Sequence, residues 1–218
     1  MSSNQSKREL LRQKRLEQKR RNITTFLLVG LVAILLILAL MFLPNLLNKL
    51  VAHGFGLGDP DAPVTVYEFS SYNCSHCYDF NENAADDFIA KYVATGKVYF
   101  NYVNLPANSE ASLLAAEASY CAADQDKFYE YKDQLFAYAF AENGYTETNM
   151  VNFASLAGLD VNAFQTCMDS GKFATAYEKD IRFATASGVT GTPSFLVNGK
   201  DLVLTSELDA TIDKYLNN

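Results

Sequence analysis

The segment Val64–Cys77, VTVYEFSSYNCSHC, decides how the chain is read. Val64 to Phe69 alternates apolar and polar residues with β-branched enrichment, which predicts a strand. Ser70 to Asn73 is a polar turn, and Cys74 and Cys77 then enclose Ser75 and His76. Downstream, Phe80, Ala84, Phe88 and Tyr92 recur at spacing four up to Gly96, predicting one amphipathic helix with a glycine stop. Val98 to Val103 (VYFNYV) predicts a second strand, so strand, helix and strand open an α/β unit.

The cysteine pair therefore falls where a turn becomes a helix. The first turn of a helix has unpaired N–H groups and a partial positive charge, and both favour thiolate over thiol at Cys74. His76 can add a positive charge or a donor toward the same sulfur. In this reading Cys74 is the exposed sulfur that attacks and is attacked, and Cys77, one turn further in, resolves the mixed disulfide. Two other readings exist for the pair. A structural disulfide across so small a loop stabilises little. A zinc site commonly needs a second such pair, which the chain lacks.

Working outward, residues 109–187 change character: Ala, Leu and aromatic residues recur at helical spacing, punctuated by Gly144, Gly158 and Gly171, and four or five helices fit. This stretch holds the other two cysteines, Cys121 and Cys167. Either they bond, as unpaired cysteines tend to in an oxidising compartment, or they are two buried thiols acting as small apolar residues. Phe128, Tyr129, Tyr131 and Phe136 read as helix core. Ser194 to Val197 predicts a short strand, Asn198-Gly199 a two-residue hairpin, and Asp201 to Leu204 the returning strand. Ser206 to Leu216 predicts a closing helix capped by Ser206.

The amino-terminal third is different. Residues 1–22 carry eight Lys and Arg against two Glu, +6, whereas the 218-residue chain as a whole is at −7, leaving −13 on the rest. So acidic a body is ill suited to gripping a polyphosphate backbone. Ile23 to Leu43 holds 21 residues without a charge, about 30 Å of helix, which matches a bilayer core. It predicts one transmembrane anchor, the cleaved secretory signal being the alternative, though such a signal has a shorter apolar run. The flanking Lys and Arg keep residues 1–22 cytoplasmic and send the remainder out. The basic tail serves as a topology determinant or, alternatively, a short helix on anionic lipid. Residues 44–63, with Gly54, Gly56, Gly58, Pro60 and Pro63, read as a linker, and 64–218 as the folded domain.

GDPDAPVTVYEFSSYNCSHC, AAEASYCAADQDKFYEYKDQLF, CMDSGKF and GVTGTPSFLVNG together resemble the DsbA-like thiol:disulfide oxidoreductases of the thioredoxin superfamily, in their membrane-anchored, BdbD-related form. The resemblance covers about 58–216. It implies an α/β thioredoxin fold with an inserted helical subdomain at about 109–187. It also implies a cis Thr192–Pro193 peptide facing the cysteine pair, a Thr192 backbone that pairs with bound substrate, and a second disulfide between Cys121 and Cys167. Pro193 could otherwise be a trans proline opening an edge strand.

Glu68 resembles the family's buried acid, placed to relay protons to Cys77; the alternative is an exposed residue on the polar side of its strand. Ser75 stands where proline is common in the family, and Thr192 where the best-known strong oxidase has Val. The direction of electron flow is thus less determined than the chemistry.

The expected function is disulfide introduction into unfolded exported proteins, with reoxidation by a DsbB-type or VKOR-type quinone-linked membrane protein. The alternatives are a reductase or isomerase of the same fold, or a non-catalytic adaptor for a membrane partner. The expected location is the bacterial cell membrane, single-pass. No metal, nucleotide or flavin motif is present, so no cofactor is expected.

Overall fold

The computed structural model describes residues 30–31, 52–53, 55–107 and 109–217. The chain divides into two units, Met1–Leu47 and Asn48–Asn218. The basic tail 1–22 and all but two residues of the span at 23–43 lie outside the described residues. Among the described residues, no helix is long and apolar enough to cross a membrane.

In the second unit a six-stranded sheet has the order β1-β2-β4-β3-β5-β6. Its strands are β1 Ala52–His53, β2 Gly56–Leu57, β3 Val64–Ser70, β4 Val98–Asn104, β5 Ser194–Val197 and β6 Asp201–Val203. The central pair β3 and β4 is parallel, from Val64 opposite Val98 to Ser70 opposite Asn104. The remaining pairings are antiparallel.

The sheet starts inside the segment read as a linker, so the 44–63 boundary is corrected. Leu57 pairs with Phe100, and the Tyr102 N–H donates to the Phe55 carbonyl at 3.0 Å. The Phe55 ring packs edge-on against Tyr120 and Phe128, at 4.8 and 4.5 Å between centroids. Glycine and proline density marked breaks, but short edge strands tolerate such residues.

The helix read through Phe80, Ala84, Phe88 and Tyr92 is three pieces: α1 Ser75–Asn83, α2 Ala85–Phe88 and a π-helical turn Ile89–Val93, with Ala84 out of helical geometry between the first two. A strict four-residue repeat overruns the 3.6-residue turn by about 40° each time. The break and the wider turn, closed by Ala94 N–H to Ile89 C=O at 2.8 Å, absorb that drift. Phe80, Phe88 and Tyr92 consequently stay on the same core face.

After β4 come α3 Glu110–Ala123, α4 Phe128–Ala137, α5 Glu147–Leu156, α6 Val161–Ser170 and α7 Tyr177–Ala186. Helices α3 to α6 pack on one another, and Cys121 of α3 is bonded to Cys167 of α6. Phe128, Tyr131 and Phe136 are sealed in the core of this cluster. The fifth helix, α7, instead covers the far face of the sheet, where Ala184 joins Phe69, Val103 and Leu196.

The β5–β6 turn has Asn198 and Gly199 both at positive φ, the backbone that this dipeptide favours. The turn is one residue longer than read, with Val197 opposite Asp201. The last helix, α8 Thr205–Leu216, is capped by Leu204 rather than Ser206. The Glu207 carboxylate reaches back to the Leu204 N–H at 3.4 Å.

Candidate active site

Strand β3 runs out at Ser70, and Ser71 to Asn73 turn the chain into α1, so Cys74 occupies the N-cap position of that helix. An N-cap side chain faces the free N–H groups of the second and third helical residues, here His76 and Cys77. The thiol closes no capping hydrogen bond. Its sulfur nevertheless faces donors that a thiolate would accept from.

Across the site, the Thr192–Pro193 peptide is cis, and the Cys74 thiol donates to the Thr192 carbonyl at 3.3 Å. Loop and helix, 118 residues apart in sequence, thus meet at one sulfur.

The two thiols differ in environment. Cys74 is half-buried, whereas Cys77 is completely covered. For Cys74, desolvation raises the pKa. The Thr192 side chain, the Cys77 N–H and thiol, and the His76 N–H outweigh it, so the group lies below the ordinary thiol range. The Thr192 carbonyl acts in the opposite sense, since only a protonated thiol donates to it. The dipolar groups favour the anion and are the more numerous. Cys77, by contrast, is pushed up to about 12, chiefly by burial.

The His76 imidazole does not take the place expected of it. Its side chain is 81% exposed with Nδ1 3.9 Å from Asp79, so His76 acts on the sulfur through its backbone N–H.

Glu68 lies behind the cysteines and is buried, 4% exposed, rather than on a polar face. Alternation along β3 puts Val64, Val66, Glu68 and Ser70 on one face. Val64 and Val66 of that face join Cys77 and Phe80 in the main core. Burial raises the Glu68 pKa to about 7, against the lowering influence of Lys132 and of the Ser70 hydroxyl.

Lys132, on α4, carried no signal in the sequence. Its side chain is only 8% exposed, with Nζ 3.0 Å from an Asp133 carboxylate oxygen and in short contact with the Asn81 side-chain oxygen. The helical insertion therefore supplies a cation to the neighbourhood of the acid. A run of helix-forming residues such as FYEYKDQLF cannot announce that its one lysine points inward. Asn198 was read only as a turn residue, but its side-chain oxygen also accepts from the Thr65 N–H at 2.8 Å, pinning the β5–β6 turn to β3.

Beside the cysteine pair, a cavity of about 450 Å³ runs along His76, Phe80, Ala84, Thr192, Pro193 and Leu204. Its walls are mostly apolar. Leu204 is 59% exposed, so the cavity opens at the surface next to the proline. Among the described residues, no group of three or more His, Cys, Asp or Glu could hold a metal ion.

These features have counterparts in known proteins. The thioredoxin family profile matches residues 52–215. Disulfide bond formation protein D of Bacillus subtilis is 30% identical over 172 residues, covering 73% of this chain and 76% of its own. The probable disulfide bond formation protein D of Bacillus anthracis is 31% identical over 150 residues, 66% of this chain and 69% of its own.

The Na(+)/H(+) antiporter NhaA 3 of Salinispora tropica is 29% identical over 143 residues, and the chain spans only 21% of its length. In three dimensions, oxidised BdbD from Bacillus subtilis matches with a TM-score of 0.65 at 28% identity, over 75% of this chain and 93% of the other. Alpha-DsbA1 from Wolbachia pipientis gives 0.62 at 26%, over 75% and 91%. The chain belongs to the thioredoxin family, in its DsbA-like branch of thiol:disulfide oxidoreductases.

Proposed function

We propose that the protein oxidises the thiols of exported polypeptides outside the cytoplasmic membrane, using Cys74 and Cys77 as its exchangeable pair. The observation that carries this reading is the inequality of the two sulfurs. One is reachable and favoured as an anion, the other is sealed and favoured as a thiol.

Starting from the oxidised pair, a client thiolate attacks the Cys74 sulfur. The Cys74–Cys77 bond breaks, its electron pair leaves on Cys77, and a proton drawn from Glu68 neutralises that sulfur. A second client thiolate then attacks the client's own sulfur in the mixed disulfide, expelling Cys74 as a thiolate. Two electrons have passed from client to enzyme. The neighbours that lower the Cys74 pKa stabilise this leaving group, by about 1.4 kcal/mol per pKa unit.

The cavity beside Pro193 would receive the apolar residues flanking a client cysteine, and the Thr192 backbone would align that segment in strand fashion. Electrons leave through a membrane reoxidant of DsbB or VKOR type. The uncharged run at 23–43, with its basic flank on the cytoplasmic side, would hold the domain close to that partner.

A reduced, unfolded client with paired cysteines, supplied with oxidised glutathione, tests the proposal. The full-length protein should accelerate recovery of the native disulfides and Cys74→Ser should abolish the gain. Reduction of client disulfides at equilibrium would assign a reductase, and an interaction partner retained by Cys74→Ser with no exchange activity in the parent would assign an adaptor.

A further inference from the structure

The Cys77 sulfur is fully buried, so when the Cys74–Cys77 bond breaks its new charge cannot be neutralised from bulk water. Glu68 is a buried acid two residues before the end of β3, and Ser70, the last residue of that strand, bears on both Glu68 and Cys77. Ser70 shares the Glu68 face of β3, is itself wholly buried, and its Oγ has no partner in full hydrogen-bond geometry among the described residues. Buried hydroxyls without partners are uncommon and call for a reason.

The Ser70 hydroxyl bears on the acidity of three groups, lowering the pKa of the Glu68 carboxyl, the Cys77 thiol and the Tyr102 hydroxyl. Tyr102 stands opposite Glu68 on β4, and its ring stacks on Tyr72 with centroids 5.7 Å apart. The hydroxyls of Tyr72 and Tyr102 are buried without partners as well. A serine hydroxyl turns freely about one bond, whereas both tyrosine rings are clamped by stacking. Ser70 alone of the three can face the acid and the thiol in turn.

We propose that Ser70 is the proton carrier between Cys77 and Glu68, an inference that rests on the exchange chemistry proposed above. As the disulfide breaks, the Ser70 O–H gives its proton to the Cys77 sulfur and takes one from the Glu68 carboxyl, leaving Glu68 a carboxylate until the return step restores its proton. When Cys77 must attack a mixed disulfide, the same hops run backward and the proton ends on Glu68. Lys132, Tyr72 and Tyr129 are the other charged or titratable groups bearing on this acid and its neighbours.

The test is rapid mixing of the oxidised full-length protein with a reduced cysteine peptide, following mixed-disulfide formation across the pH range in which Glu68 titrates. Ser70→Ala should slow this step by on the order of tenfold to a hundredfold. It should also erase the pH dependence due to Glu68 while leaving Cys74 alkylation in the reduced protein unchanged. In a Glu68→Gln background, Ser70→Ala should add nothing, because the two residues serve one path. Removing an unpartnered hydroxyl leaves the fold intact, and Ser70→Gly carries the same expectation should alanine disturb the strand.

A parental rate and profile in Ser70→Ala would overturn the relay, as would independent, multiplying effects of the two substitutions. Slowing by Tyr102→Phe with Ser70→Ala unaffected would overturn it in favour of the tyrosine. Absence of exchange in the parent protein would instead overturn the proposed function.

Discussion

The Cys74 sulfur lies 3.3 Å from the Thr192 carbonyl oxygen, at the cis peptide preceding Pro193. That one contact joins the helix carrying the cysteine pair to the loop before β5. It also gives Thr192 two opposed effects, because its carbonyl favours the thiol while its side chain favours the thiolate.

Thr192→Val removes the second effect and keeps the first. The Cys74 pKa should rise toward the ordinary thiol value of about 8.5. Iodoacetamide trapping rates measured against pH give the midpoint directly. A rise of one unit corresponds to a loss of about 30 mV of oxidising power for the two-electron couple.

Glu68 makes stability depend on pH in a direction opposite to that of most paired carboxylates. Its folded pKa, about 7, lies above its unfolded value of 4.5. The native state therefore holds the proton more tightly. The stability this contributes is complete below the unfolded value and is lost as pH rises to the folded one, on the order of 3 kcal/mol. Urea unfolding at a series of pH values should show that decline, and Glu68→Gln should flatten it.

Lys132→Met should extend the same decline to higher pH. The lysine's charge lowers the Glu68 pKa, so its removal keeps the acid neutral further up the scale. The measurement is the same pH series of unfolding curves. An unchanged upper limit of the decline would mean that the cation does not act on the acid.

The Cys121–Cys167 bond closes a loop across 46 positions between α3 and α6. Replacing both by Ala should cost about 2–4 kcal/mol in denaturant unfolding. The rate of exchange per folded molecule should stay unchanged, since neither sulfur is among the groups that bear on the Cys74 thiol. Intact-mass analysis with and without reduction before alkylation reads the bond itself.

Much of the fold was legible because its signals are local. Alternation in VTVYEF and VYFNYV gave β3 and β4, and Asn198-Gly199 gave the hairpin. The two-residue spacing in CSHC, next to a turn, placed a thiol at a helix start. Signals that depend on partners distant in sequence were silent. Phe55 enters the fold through its carbonyl and ring, meeting Tyr102, Tyr120 and Phe128, so the breaker-rich composition around it pointed to a linker.

The break at Ala84 was hidden because a four-residue stripe looks like a helix until its drift is added up. Within the site, Cys74 and Cys77 could be read from spacing. Lys132 and Ser70 could not, and the inward turn of Glu68 came from the resemblance to the family's buried acid, since alternation along a strand does not tell which face is covered by what.

The equilibrium between the Cys74–Cys77 couple and glutathione tests the central claim most directly, because it weighs the comfort of the Cys74 anion against the bond it forms. A stabilised thiolate requires an oxidising potential, near the value of about −120 mV typical of periplasmic disulfide donors. A potential near the value of about −270 mV typical of thioredoxin would contradict the account, since a sulfur that prefers its disulfide has no drive to give it away.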